Sequence, residues 1–286
     1  MPRVHLPVML NEVIENIYNF KAGTYLDATF GDGGHSEKLL NLGAEKVIGL
    51  DRDPTSTDNY SKEGTFKNDP KLEIHTMLFS EIEKLNLQVD GIVIDLGVST
   101  RQLMDFSRGF SFHSTSELDM RMDQKSQTLE EILSRISKKE LENKLIENIG
   151  DLRARFLARD VFEKFKSGKI QDTQDLAQLR GFYNKWGRHQ ATALFLGLRM
   201  LVNNELEEIR RGIPRLVNCL KKGGRLAVLT YHSTEDREVK NIFKFLRAQK
   251  IIKIVTKKPL LPTPFELSTN PRARSAKLRC VEKEAL

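Results

Sequence analysis

Cysteine is almost missing from this chain: Cys219 and Cys280 are the only two in 286 residues. That excludes a disulfide framework and points to a reducing, cytoplasmic compartment. The six histidines lie far apart, and no Cys or His pair has the spacing of a zinc site, so no metal is expected. No apolar run approaches the roughly 20 residues a membrane span needs. The first residues, Met1-Pro2-Arg3-Val4-His5, lead into no apolar signal core, so no membrane association is expected. Internal repeats and low-complexity tracts are lacking too. With 39% hydrophobic and 30% charged residues, the chain reads as soluble and globular. Its length suits one large domain or a domain carrying an insertion.

Acidic residues are scarce in one place. Residues 237–286 hold 13 Lys+Arg against 4 Asp+Glu, a net of +9, while the rest of the chain is at −2. A basic end is a reasonable footprint for a phosphate backbone. A solvated basic surface explains the same charge equally well. Arg272, Arg274, Lys277 and Arg279 are the residues that a nucleic-acid reading singles out.

The first hundred residues alternate strand and helix signals. Thr24–Asp27, Lys46–Asp51, Leu72–Leu78 and Gly91–Asp95 read as strands, the last almost wholly apolar, as a strand covered on both faces should be. Residues 128–220 read as helix almost throughout. Strand patterns return at Gly224–Thr230, Ile251–Val255 and Ala276–Val281. Ser80 with Glu83, Thr128 with Glu131 and Ser137 with Glu140 are capping-box patterns. The expectation is an α/β fold, a doubly wound Rossmann-like sheet formed by residues 1–108 and 190–286, interrupted by a helical insertion at 109–189.

The first strand runs into Gly31-Asp32-Gly33-Gly34-His35. This is not G-x-G-x-x-G, so the dinucleotide fingerprint is not met, and a simple glycine turn is an alternative. Asp51 ends the second strand 17 residues after Gly34, where an acid can accept both hydroxyls of a ribose. Asp53 precedes Pro54 and is better placed as a helix cap. Phe79 closes the third strand. It is a candidate to stack on adenine, because the staple partner it would otherwise need is Lys84. Asp95 closes the fourth strand, next to the crevice where such sheets bind ligands, although a capping role competes.

These stretches also carry a resemblance. His5-Leu6-Pro7-Val8-Met9-Leu10-Asn11-Glu12-Val13, Thr29–Ser36, Asp51-Arg52-Asp53-Pro54, Asp95-Leu96-Gly97-Val98-Ser99, Arg108-Gly109-Phe110-Ser111-Phe112, Leu118–Asp123, His232-Ser233 with Glu235-Asp236-Arg237, and Asn270–Ser275 are similar, in order, to the motifs of the 16S rRNA cytosine-N4 methyltransferases. The resemblance implies S-adenosylmethionine as cofactor, held by Gly33, Gly34, His35, Asp51, Phe79, Asp95 and Gln102. His35 and Gln102 rest on the resemblance alone. It implies a target cytosine in the decoding region of 16S rRNA, within the small ribosomal subunit, and an insertion that recognises substrate. Departures lie mostly in the helical region. Ile149-Gly150-Asp151-Leu152 stands for Tyr-Gly-Glu-Glu, and His189-Gln190-Ala191-Thr192-Ala193-Leu194-Phe195-Leu196 for His-Pro-Ala-Thr-Arg-Thr-Phe-Gln. Tyr231-His232-Ser233-Thr234 replaces Phe-His-Ser-Leu.

An exocyclic cytosine amine is a weak nucleophile, so its transfer chemistry needs alignment and an acceptor for its N–H groups. Asp95 is the candidate catalytic acceptor, with its service to amine or cofactor left open. Phe106, Phe110 and Phe112 are candidates to stack a flipped base, or else core residues. Asp119, Asp123 and His232 are substrate-side candidates, or else groups in structural hydrogen bonds. Two other functions stand beside this one. One is a catalytically idle ribosome-binding factor that keeps the fold. The other is a DNA amino-methyltransferase, which the missing Asp-Pro-Pro-aromatic run argues against.

Overall fold

A computed structural model describes residues 7–20, 22–113, 115–179 and 191–284. The chain forms two compact units, one of Met1–Gly97 with Glu207–Leu286 and one of Val98–Leu206.

The first unit is built on seven strands: β1 Thr24–Asp27, β2 Lys46–Asp51, β3 Leu72–Thr76, β4 Val89–Asp95, β5 Leu220–Thr230, β6 Ile252–Ile254 and β7 Lys277–Lys283. Their order in the sheet is β3-β2-β1-β4-β5-β7-β6. The first five run parallel, and β7 runs antiparallel to both its neighbours. Every strand expected from the sequence is present. β5 starts four residues earlier than its pattern suggested, because a register shift against β4 between Val89 and Gly91 absorbs Gly223-Gly224. The helices of this unit are α1 Leu10–Ile17, α2 Gly34–Asn41 and α3 Pro54–Glu63, with others named below. One face of the sheet presents Tyr25, Val47, Val93, Ala227 and Leu229 to Val13, Ile14, Ile17 and Leu39 of α1 and α2. Leu26, Ile48, Ile92, Ile94 and Val228, of opposite parity, are equally buried. Both faces are therefore covered, which is why β4 carries no alternation of polar residues.

The second unit is helical: α4 Thr100–Met104, α5 Leu129–Arg135, α6 Lys138–Ile149, α7 Ala154–Lys166, α8 Thr173–Ala177 and α9 Thr192–Asn203. Helix α10, Glu205–Asn218, leads back into the first unit. The core holds Leu129, Leu133, Leu141, Leu145, Leu157, Val161, Leu194, Leu198 and Leu201. A Cβ on Gly197 would come within 2.8 Å of Ile149 Cγ1, so α6 and α9 touch where α9 has no side chain. This unit starts and ends farther out than the expected 109–189. Val98 and Leu103 pack on its core from one side, and α9 supplies Phe195 and Leu198 from the other. His189 and Gln190, like His5 and Leu6, lie outside the described residues. Among those described, no helix is long and apolar enough to cross a membrane.

Local signals held unevenly. Asp53 caps α3 by accepting from Thr55 N, and Thr128 with Glu131 closes a full capping box on α5. Ser137 caps α6 through Glu140 N. The Ser80–Glu83 pattern forms no box. Residues Phe79–Leu85 make a 3₁₀ turn instead, and both Ser80 N and Ser80 Oγ donate to Glu208 of α10, at 2.8 and 2.7 Å. Glu83, the local acceptor, is turned to Arg215 instead, at 3.4 Å.

Candidate active site

Three neighbouring parallel strands, β2, β1 and β4, all end on an aspartate at one edge of the sheet. The strand order reverses between β1 and β4, and crevices for ligands form at such a point. Asp27 is buried, and its carboxylate accepts from Ser36 Oγ at 2.8 Å. Asp51 accepts from Gly31 N at 2.7 Å and from Asp53 N at 2.8 Å, one bond to each oxygen. Asp95 accepts from the Tyr231 hydroxyl at 2.6 Å, while its own N–H donates to Thr29 Oγ1. Loss of water raises the pKa of each acid to about 6. The charge on Asp27 pushes both of its neighbours further in the same direction. A cation brought to this edge reverses those shifts, so the edge favours a positively charged ligand.

The loop after β1 fits tightly. Gly31 and Gly33 adopt left-handed φ of 53° and 76°. A Cβ on Gly33 would sit 2.5 Å from the Tyr60 ring, and one on Gly34 would sit 2.2 Å from Pro7. These two glycines let the protein's own side chains reach the backbone, whereas a Cβ on Gly31 would meet only Thr29 O, at 3.9 Å. His35 opens α2 and is buried, with Nε2 unpartnered. Burial holds its imidazole below the usual range, against the pull of Asp95 and a backbone hydrogen bond with Val8. A neutral imidazole with one orphaned nitrogen, beside buried acids, has capacity left for a ligand.

His232 follows β5. Its Nε2 stands 2.7 Å from Glu235 Oε1, but neither ring nitrogen has hydrogen-bond geometry. Glu235 Oε2 accepts from Tyr231 N at 3.0 Å. Phe79 is buried and does not meet Lys84. Its ring covers Gly212 of α10, where a Cβ would come within 2.2 Å of it. Arg272 and Arg274 are exposed on the 3₁₀ turn Pro271–Ser275, with Arg272 in electrostatic contact with Asp32 and Tyr231. Lys277 and Arg279 are not free for a phosphate backbone, because both lie against Asp236, at 3.4 and 2.7 Å.

The remaining candidates belong to the helical unit and, apart from Phe106, are engaged within it. Gln102 completes a capping box with Ser99 on α4. Phe110 is part of the helical core, under the Arg108 guanidinium, and Phe112 meets Phe195 edge-on at 5.5 Å. Phe106 is exposed. Asp119 holds Arg121 with both oxygens. Burial works to raise its pKa, but the Arg121 bonds bring it below the usual carboxylate range. Asp123 Oδ1 accepts from Lys125 N, Ser126 N and Ser126 Oγ, closing a turn. No group of three His, Cys, Asp or Glu among the described residues could hold a metal ion.

Sequence reasoning gave no role to Asp27, Tyr231 and Glu235. Asp27 carried a signal, since it ends its strand as Asp51 and Asp95 end theirs. Tyr231 reaches Asp95 only through the pairing of β5 with β4, whereas Glu235 meets His232 three residues away, a spacing the sequence already held.

The sequence pattern of the MraW methylase family matches residues 3–284. Proteins named ribosomal RNA small subunit methyltransferase H are similar along nearly the whole length. That of Persephonella marina is 40% identical, covering 98% of this chain and 99% of its own. The Fusobacterium nucleatum protein is 37% identical, over 98% and 96%, and one from Ehrlichia ruminantium 37%, over 98% and 99%.

Proposed function

Since the chain belongs to the MraW methylase family, and is therefore a methyltransferase, we propose that it moves the methyl group of S-adenosylmethionine to N4 of a cytosine in the decoding region of 16S rRNA. Its place of action is the cytoplasm, on the small ribosomal subunit. The observation that carries this reading is the row of three carboxylates on adjacent strand tips, Asp27 buried and Asp51 and Asp95 half-buried, beside the Gly31–His35 loop. S-adenosylmethionine supplies an electrophilic methyl on a sulfonium and carries an ammonium as well, the cationic character that such an edge favours.

Asp51 keeps lone pairs beyond its two backbone bonds and accepts from the ribose hydroxyls. Gly33, Gly34 and His35 line the loop, His35 with its open Nε2, and Phe79 is the residue that would stack on the adenine. Asp95 has one oxygen engaged by Tyr231, which leaves the other to accept an N–H from the target amine or the cofactor. An acceptor at the amine gains strength as positive charge develops on nitrogen, and that lowers the barrier. Gln102 is assigned to the cofactor and Phe110, Phe112, Asp119, Asp123, His232, Arg272 and Arg274 to the substrate side, although most of them also have structural partners.

A second reading has its own observation. On α9, Ala193 and Leu196 stand where the resemblance places an arginine and a glutamine. A fold that binds cofactor and RNA without turnover would tolerate that loss. Single-turnover methyl transfer to small-subunit particles, followed by mass mapping of the rRNA, separates the two. A new methyl on a decoding-region cytosine is the expected result. Cofactor and RNA binding with no transfer to any subunit preparation replaces the first reading with the second.

A further inference from the structure

Helix α11, Ser233–Ala248, sorts its charges by face. Its acids turn inward and are engaged. Glu235 is buried against His232, Asp236 holds Arg279, and Glu238 accepts from Arg210 Nε at 3.0 Å. Val239, Phe243 and Leu246 are buried as well. The bases do the reverse. Arg237, Lys240, Lys244 and Arg247 are all exposed, and among the described residues none lies within ion-pair distance of a carboxylate. Other cations of the basic C-terminal stretch are spent internally: Lys277 on Asp236, Lys253 on Glu282, Lys283 on the Val217 carbonyl. Four of the exposed cations of this stretch thus share one helix face, while others, such as Lys250, Lys257, Lys258, Arg272 and Arg274, lie beyond α11.

Steps of three, four and three residues put the four cations inside an arc of about 80° on an α-helix. From Arg237 to Arg247 the stripe runs roughly 15 Å, at about 1.5 Å per residue. A duplex strand carries one phosphate per roughly 3.4 Å of axis, so the stripe faces about as many phosphates as it has cations. A lipid-surface helix would turn its apolar residues outward, whereas here Val239, Phe243 and Leu246 face in and Phe245 alone among the large apolar residues is exposed.

We propose that the outer stripe of α11, Arg237-Lys240-Lys244-Arg247, is a docking surface for the sugar-phosphate backbone of the RNA substrate, separate from the acids at the strand tips. This rests on the reading of the chain as an RNA methyltransferase. The outer charge is not offset from within the helix, because Asp236 and Glu238 are already paired with cations on its inner side and Glu235 is buried.

The test is the full-length quadruple variant R237Q/K240Q/K244Q/R247Q, since glutamine is a good helix former and removes charge without breaking α11. Thermal melting and S-adenosylmethionine affinity establish that it folds. Binding to small-subunit rRNA is then followed against salt. If all four cations touch phosphates, the slope of log affinity against log salt becomes shallower by about 3. Cofactor affinity stays at the wild-type value. K62Q/K71Q, two exposed lysines on and after α3, keeps the full slope. A wild type that methylates small-subunit rRNA while the quadruple variant retains the wild-type slope overturns the docking surface and leaves the enzyme reading standing. An equal loss in K62Q/K71Q overturns it too, as bulk charge rather than a surface. A wild type that neither binds nor methylates this RNA removes the function reading and the stripe with it. Loss of binding to anionic phospholipid vesicles with an unchanged rRNA slope assigns the stripe to a membrane instead.

Discussion

The carboxyl edge of the sheet and the interior of the helical unit both hold buried or half-buried polar groups, and they treat them in opposite ways. In the helical unit nearly all have partners, Thr100 Oγ1 being the exception among the described residues. Asp119 holds Arg121, Asp123 closes its own turn, Asn148 donates to the Gly197 carbonyl, and Asn203 bridges Met120 O and Met122 N. At the sheet edge three acids are pushed up to about 6 and His35 Nε2 has no partner at all. Folding alone gains nothing from leaving polar groups in that state. Groups that a fold leaves dissatisfied are the ones a ligand completes, whereas satisfied groups mark structure.

The sharpest way to break this contrast is Asp95. Asp95→Ala is expected to slow single-turnover methyl transfer by roughly 10²-fold or more at saturating cofactor. Asp95→Asn retains more activity than Asp95→Ala if position dominates, and no more if charge dominates. Wild-type rates in both variants would return Asp95 to a structural role. Next in size is Asp51→Ala, for which calorimetry should show cofactor affinity weaker by about 2–4 kcal/mol, the worth of charge-assisted bonds to two hydroxyls. Unchanged affinity would remove the ribose assignment.

A smaller effect sharpens the electrostatic side. An acid whose pKa is 3.8 free and about 6 in the fold takes up a proton on folding between those values. The unfolded state then binds fewer protons, so each such acid lowers stability as pH rises through that window, and its penalty is complete above about 6. A bound cation restores the ionised form. Cofactor affinity should therefore rise as pH goes from 4 towards about 6 and then level off, with proton release on binding detectable by calorimetry in two buffers near pH 5.5. Tyr231→Phe removes a hydrogen bond that lowers the pKa of Asp95, so the plateau should begin at higher pH. A flat profile would mean the acids are ionised before the cofactor arrives.

The smallest effect belongs to the helical unit. Asp123→Ala should lower stability by about 1 kcal/mol, the usual net worth of an intramolecular hydrogen bond, read as a few degrees in thermal melting. Cofactor affinity should not change. A loss of cofactor affinity without loss of stability would place Asp123 at the cofactor and blur the contrast.

The sheet was legible because its information is local. β4 is apolar over both parities, β1 and β2 end in an acid, and Gly31-Asp32-Gly33-Gly34 breaks the pattern between strand and helix. Asp53 was recognisable as a cap because Pro54 follows it. What stayed hidden depends on partners distant in sequence. Ser80 chose Glu208 over Glu83, a residue 128 positions away. Tyr231 meets Asp95 across 136 positions, and Lys277 and Arg279 lose their availability to Asp236. The limits of the helical unit were misplaced because α4 and α9 carry polar and apolar residues that suit either unit, and only contact with a core decides.

The antiparallel β7 lies between β5 and β6 although β6 precedes it in the chain. During synthesis β6 and α11 are therefore made while the strand that joins them to the sheet does not yet exist. Until residues 277–283 leave the ribosome, β5 offers an open edge, and Asp236 waits without its two cations. Long-range pairings of this kind close slowly, and open strand edges invite aggregation. The nascent chain should thus be most vulnerable to proteases and to self-association in the interval just before β7 emerges, and a stall placed there would hold it in that state.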